Sequence, residues 1–247
     1  MEKEKGVGEG ALHVEGSVTE EKIEEAEKIP EDPKFRSDFV MIAVVVAIVV
    51  ALAVLFGSQY FIDDTPKTID DMHALNQEGK LKEDGDFFNG FSFVHVDGLW
   101  YTQVASGDGS VLFDVPFHNL PSQVAQVPVS GELDSVTFDS ADEIYVTFDP
   151  LGTELQYVAL AVGKFDQTML KAYNKIPVAA CDRNETNACA DRPIVTCNST
   201  SEAVMAIQYA DSAAVAYEDN CIMVRGSGPA LVRSMERLLY SLYGIIA

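Results

Sequence analysis

Hydrophobic and polar positions follow three regimes along the chain. Residues 1–38 are charged and poor in aromatic side chains, residues 39–56 carry no polar group at all, and from residue 87 apolar positions alternate with polar ones. The middle regime, "FVMIAVVVAIVVALAVLF" from Phe39 to Phe56, is eighteen uninterrupted apolar residues. At the rise of an α-helix that is roughly 27 Å, close to the thickness of a hydrocarbon core. Its seven valines and two isoleucines disfavour a helix in water, but in lipid every backbone group must pair within its own segment. Tyr60 and Phe61 follow, where aromatic rings favour a membrane interface. The expectation is a transmembrane helix over 39–62, uncleaved, because the charged stretch ahead of it is too long for a signal peptide and no small-residue cleavage site follows.

Charge asymmetry orients that helix. Lys22, Lys28, Lys34 and Arg36 precede it, whereas Asp63 and Asp64 come directly after it and Lys67 only later. The positive-inside rule then places the N-terminus in the cytoplasm and the rest of the chain outside. Residues 1–38 read as an acidic, mostly disordered cytoplasmic tail. A short helix from Thr19 to Ile29 is foreshadowed within it by Ser17 and Glu20 at capping-box spacing. Residues 63–86 read as a stalk with a helical turn or two around "TIDDMHALNQEGKL".

The alternating regime predicts strands. "FSFVHV", "LWYTQV" and "VLFDVPF" are separated by Asp97-Gly98 and by "SGDGS", and Asp-Gly between alternating runs is a strong hairpin signal. Val111, Phe113, Val115 and Phe117 alternate cleanly, and "DSVTFD" and "EIYVTFD" extend the pattern into one antiparallel meander. In the second half "LQYVALAV" reads as a strand, and a helix follows from Phe165 to about Asn174 with Asp166 as N-cap. "PIVTC" and "CIMVRG" read as further strands. "AVMAIQYA" fits a strand in a meander or a helix capped at Ser199. The chain closes on a helix beginning at Pro229, with Leu231, Met235, Leu238 and Leu242 as its apolar stripe and Gly244 at its end. The predicted fold is α+β: a single N-terminal transmembrane helix, an antiparallel β-meander over 87–150, and a C-terminal α+β half over 151–247 ending in an amphipathic helix.

Four cysteines, Cys181, Cys189, Cys197 and Cys221, all fall on the exported side. Outside the cytoplasm an even, clustered set reads as disulfides. Spacings of 8, 8 and 24 residues lack the C-x2-C pairs of zinc and redox centres. Of the three possible pairings, Cys181–Cys189 with Cys197–Cys221 is favoured, because an extended "RPIVTC" carries Cys197 away from Cys189. Sequons at Asn184 and Asn198 mark the same segment as exposed and open to glycosylation.

With 39 acidic against 17 basic residues, net −22, the chain is unsuited to nucleic acid or to anionic lipid surfaces. Catalytic signatures are absent from the sequence. Gly226-x-Gly228 sits between a strand and a helix, but its third glycine is replaced by Leu231 and Pro229 removes a donor. Ser227 lacks a nucleophile-elbow frame, and His73, His95 and His118 are isolated. Asp134, Asp139, Asp142, Glu143 and Asp149 gather at strand ends without the spacing of a calcium loop. No metal or cofactor is expected.

Two stretches, "NCIMVRG…LVRSMERLLYSLYGII" and "FNGFSFVHVDGLWYTQV", resemble those of uncharacterised archaeal single-pass membrane proteins. That resemblance implies a membrane compartment and a lineage, and no chemistry. The expected function is a membrane-anchored, non-catalytic extracellular module for envelope organisation or binding of protein partners. The alternative is an extracytoplasmic enzyme, or a subunit of one, whose site is assembled from residues distant in sequence.

Overall fold

A computed structural model describes residues 33–60 and 68–246, with the side chains of 39–54 in the first of these segments. Chain contacts divide it into two units, Met1–Asp64 and Thr65–Ala247. In the first, helix α1 spans Pro33–Tyr60. Its apolar side chains are exposed, from Phe39 at 66% to Leu52 at 46%, so no protein layer covers them. Among the described residues no helix is long and apolar enough to cross a membrane. The helix expected over Thr19–Ile29 lies outside the described residues.

The second unit opens with helix α2, Ile69–Gln77, whose N-cap Thr68 forms a reciprocal capping box with Asp71. It does not belong to a stalk. His73 and Asn76 are each 3% exposed, pressed against the sheet that follows. That sheet is an antiparallel meander of β1 (Gly85–Phe88), β2 (Phe91–Val96), β3 (Leu99–Ala105) and β4 (Leu112–Phe117), in chain order. Two tight turns set its register. Asn89-Gly90 and Asp97-Gly98 adopt left-handed φ values of 48° and 87°, and of 51° and 82°, as primed two-residue turns require. Asp108-Gly109 instead lies in a longer loop over 106–111. Val111 belongs to that loop and is 59% exposed, so the inward alternation starts at Phe113.

Beyond Phe117 the predicted meander gives way to a second sheet. Helix α3 (Pro121–Val124) and strand β5 (Val129–Leu133) lead to "DSVTFD", which is the short helix α4 (Ser135–Ser140) and no strand. Asp134 decides this, accepting from the Val136 N–H and the Thr137 hydroxyl as an N-cap. Strand β6 (Glu143–Phe148) is followed by helix α5 (Leu155–Thr168), a π turn over Met169–Tyr173, and β7 (Ile176–Cys181). "LQYVALAV" is therefore helix. Val158, Ala161, Val162, Phe165 and Met169 recur at intervals of three and four and pack on the core. Strands β8 (Val204–Tyr209), β9 (Ala214–Asp219) and β10 (Cys221–Gly226) complete a six-stranded sheet in the order β5-β9-β10-β8-β6-β7. Strands β10, β8, β6 and β7 run parallel, so a helical crossover joins β6 to β7 where a strand followed by a helix from Phe165 was predicted.

Helix α6 (Pro229–Leu242) is the middle layer. It packs on β9 and β10 on one side, and on the other Tyr240 stacks on Phe117 at 4.2 Å and meets Phe93 edge-on at 6.0 Å. Nine of its residues, from Leu231 to Tyr240, are buried, so it is enclosed between two sheets instead of lying amphipathic on one.

Asp166, the predicted N-cap, sits inside α5 with its Oδ1 atom buried and unpartnered. Burial pushes its carboxyl up to about 6. The folded state then holds the proton more tightly, so stability falls as pH rises from about 4 to 6 and stays lowered above that window. A rise from the ordinary 3.8 to about 6 sets a ceiling of about 3 kcal/mol, which solvent screening of this half-buried group reduces to roughly 1–2 kcal/mol. Asp166→Asn should recover that amount at pH 7 and flatten the decline. Urea titrations at pH 4.5 and 7 check it, and equal variant and parent stabilities at pH 7 would refute it.

Candidate functional site

A concavity with both polar and apolar walls lies where three parallel strands end. Phe148 closes β6, Ile207 and Tyr209 close β8, and Gly226 closes β10, while the amino ends of α5 and α6 arrive beside them. The chain leaves β6 through α5 toward β7 on one side, and β8 lies on the other. Strand order reverses there, and such reversals open a crevice outside the carboxyl ends of parallel strands. The cavity here measures about 390 Å³.

Backbone geometry, more than side chains, shapes it. A Cβ at Gly226 would lie 2.6 Å from the Leu231 nitrogen, so only glycine lets the strand end pass so close to the start of α6. Glu154, the N-cap of α5, is itself left-handed at φ 57°. Its carboxylate reaches across to the N-cap of α6, with Oε1 3.2 Å from where a Gly228 side chain would begin. The positive end of the α6 dipole thus meets a carboxylate of the same chain. Asp149 is engaged too: it accepts from the Leu151 N–H at 2.9 Å and stands 3.6 Å from the Arg183 guanidinium, which forks onto Asp182.

The remaining wall is apolar. Ile207 and Leu231 form the floor, and Leu151 at 58% exposure and Tyr209 at 69% stand at the rim. Among the described residues no histidine, cysteine or basic side chain lines the cavity. Its position at the amino end of α6 resembles a phosphate site, but Glu154 already supplies the anion there. The arrangement can enclose an apolar group; Ser227 shares it with the Asp149 and Glu154 carboxylates, with no hydrogen bond from the Ser227 hydroxyl to either.

The residues singled out from sequence are dispersed. His73 lies on the buried side of α2 against Ser92, His95 lies against Trp100 at 4.8 Å, and His118 contacts Glu236. Of the carboxylates, Asp134 caps α4 and Asp149 alone reaches the cavity. Among the described residues no group of three or more His, Cys, Asp or Glu side chains could hold a metal ion.

Both disulfides are formed, Cys181–Cys189 with Cα atoms 5.9 Å apart and Cys197–Cys221 at 5.4 Å. They indicate an oxidising, extracytoplasmic location. The route to the second differs from expectation. "PIVTC" is no strand: only Ile194 bridges to Cys181, and Cys197 reaches the start of β10 from a turn. Asn184 and Asn198 are both exposed in this stapled segment.

A buried charge network went unread in the sequence. Glu236 of α6, fully buried, accepts from the backbone N–H groups of His118 at 2.7 Å and Asn119 at 3.0 Å, and from the Asn119 side chain at 2.7 Å. Lys164 of α5 completes it at 3.2 Å and also donates to the Pro116 carbonyl. Burial lowers the Lys164 ammonium from its usual range, with Glu236 opposing the shift. The only sequence hint was a lone acidic residue in the run "RSMERLLY".

No protein-family model, curated protein or solved structure matches the chain.

Proposed function

We propose that this protein is a membrane-anchored extracytoplasmic binding module. Helix α1, with its apolar run from Phe39 to Phe56, is the anchor, the N-terminal tail is cytoplasmic, and residues 68–246 face outward. The crevice at the ends of β6, β8 and β10 takes an apolar side chain of a protein partner in the envelope. One observation carries this reading: a cavity with an apolar floor and exposed apolar rim, whose anion position is filled by Glu154. Phosphorylated or carboxylated small molecules would have to displace that carboxylate, whereas an apolar group meets only Ile207, Leu231 and the rim. The exposed sequons Asn184 and Asn198 are its glycan acceptors. The acidic composition agrees with the resemblance to archaeal membrane proteins.

The rival, an enzyme or enzyme subunit, is favoured by the concavity and by the presence of Ser227, Asp149 and Glu154 around it. Neither carboxylate is hydrogen-bonded to the Ser227 hydroxyl.

Truncating one anchor contact of an interface typically costs at least about 2 kcal/mol, close to thirtyfold in affinity. Full-length chain purified from its native membranes should carry a stoichiometric partner. Leu151→Asp with Tyr209→Ala should reduce that recovery by about thirtyfold while far-UV circular dichroism stays unchanged. Undiminished recovery would sink the proposal.

A further inference from the structure

Helix α2 is held on the outer face of the meander through a hydrogen-bond relay that depends on one histidine staying neutral. The Asn76 side-chain amide nitrogen lies 2.8 Å from the Ser92 hydroxyl oxygen, 3.0 Å from the Asp86 carbonyl and 3.1 Å from the Phe93 carbonyl, and its two N–H groups are shared among these three acceptors. Because the amide can only donate there, the Ser92 proton is left for its other neighbour, His73 Nδ1, at 2.9 Å. The ring proton therefore sits on Nε2. That atom is buried without a hydrogen-bond partner, and it faces Asp114 Oδ1, also unpartnered, at 3.9 Å. With the proton on Nδ1 instead, a bare nitrogen lone pair would confront the carboxylate.

We propose that this cluster is an acid-released latch: protonation of His73 undocks α2 from the meander. A second proton must enter at Nδ1, the one nitrogen that accepts. Ser92 would then receive two donors, and its own hydroxyl proton would lose the ring nitrogen that accepts it in this half-buried site. The gap to Asp114 is too long for a hydrogen bond, so the ring gains only a weak ion pair in return.

The groups around the ring agree with this sign. On α2 itself the nearby charges are Asp70, engaged by Gln103 of β3 at 2.6 Å, and Asp71, engaged with Thr68. From β4 comes Asp114, from β2 only the Ser92 hydroxyl, and the Asp86 carboxylate of β1 turns to the Phe87 N–H. Asp114 and Asp70 favour the charged ring, but burial outweighs them, and His73 lies below the ordinary histidine value. A histidine depressed in the docked state binds its proton more readily once released, so docking is complete above about pH 6.5 and is lost as pH falls below it.

Amide hydrogen–deuterium exchange on the full-length chain in detergent tests the latch. After correction for intrinsic rates, protection over 69–77 should fall several-fold, up to about tenfold, between pH 7.5 and 5.5, while 229–242 stays protected. His73→Gln should abolish that pH dependence. Nitrogen-resolved NMR of the wild-type imidazole gives a reading independent of any variant: an Nε2–H tautomer titrating below 6.5 is expected. Protection of α2 that is constant or rises in acid, a pH response that persists in His73→Gln, or an Nδ1–H tautomer at neutral pH each overturns the proposal.

Discussion

Glu236→Ala should destabilise the exported domain by about 3–5 kcal/mol, the range for removing one partner of a buried ion pair. The physical reason goes beyond the lost attraction to Lys164. Truncation strands an ammonium that is 10% exposed and leaves the N–H groups of His118 and Asn119 without their acceptor. An apolar replacement of both charges, Glu236→Leu with Lys164→Met, often rescues a buried ion pair fully. Here the rescue should be partial, because two of the donors are backbone and cannot be mutated away. Urea unfolding followed by Trp100, the one tryptophan of the chain, measures both variants. A single-variant cost below about 1 kcal/mol, or a double variant as stable as the parent, would show that the carboxylate is dispensable.

Removing the Cys197–Cys221 bridge should cost roughly 3.5 kcal/mol and removing Cys181–Cys189 roughly 2.5 kcal/mol, from the loop entropy of closing 24 and 8 residues. The structure also predicts where each loss is felt. Cys221 begins β10 in the middle of the six-stranded sheet, next to Val204 and Glu218, so freeing it loosens strands on both sides. Cys181 ends the edge strand β7, and its bridge ties only the segment up to Cys189. Paired serine variants separate the two by unfolding midpoint. Peptide mapping of the unreduced parent should yield only those two linked pairs. Equal midpoints would remove the distinction, and a Cys181–Cys197 peptide would refute the topology.

Local signals in the chain were sufficient for the hairpins and for α6. Asp97-Gly98 announces its own turn, because few residues other than Gly, Asn and Asp tolerate left-handed φ, and Pro229 and Gly244 bracket a helix for similar reasons. Asn89-Gly90 carried the same signal one strand earlier. The parallel sheet was less legible. "EIYVTF" alternates whether its neighbours are parallel or antiparallel, so periodicity cannot distinguish a meander from a crossover. The decisive clue was "LQYVALAV", in which short spacing satisfied a strand pattern until the positions of Phe165 and Met169 were counted with it. Glu236 was illegible for a different reason. A charged side chain in a helix reads as its solvent face, and only the three-layer arrangement shows that Arg233 lies on the exposed side of α6 and Glu236 does not. The cavity was split across Phe148 to Val158, Ile207 to Tyr209 and Gly226 to Leu231, three segments that nothing but the sheet order brings together.

The middle position of α6 bears on how the chain acquires its structure during synthesis. A nascent polypeptide emerges N-terminus first, and α6 is made after every strand it packs against. Until it arrives, Phe93 and Phe117 on one sheet and Ile222 and Val224 on the other have no shared layer to cover them. The meander can form its local hairpins early, since they join neighbouring residues, but it cannot dock. The half-made domain therefore carries two apolar sheet faces at once, the kind of surface on which intermediates aggregate or recruit chaperones. Completion is then a single late event, in which one helix slides between two waiting sheets and buries Glu236 with it.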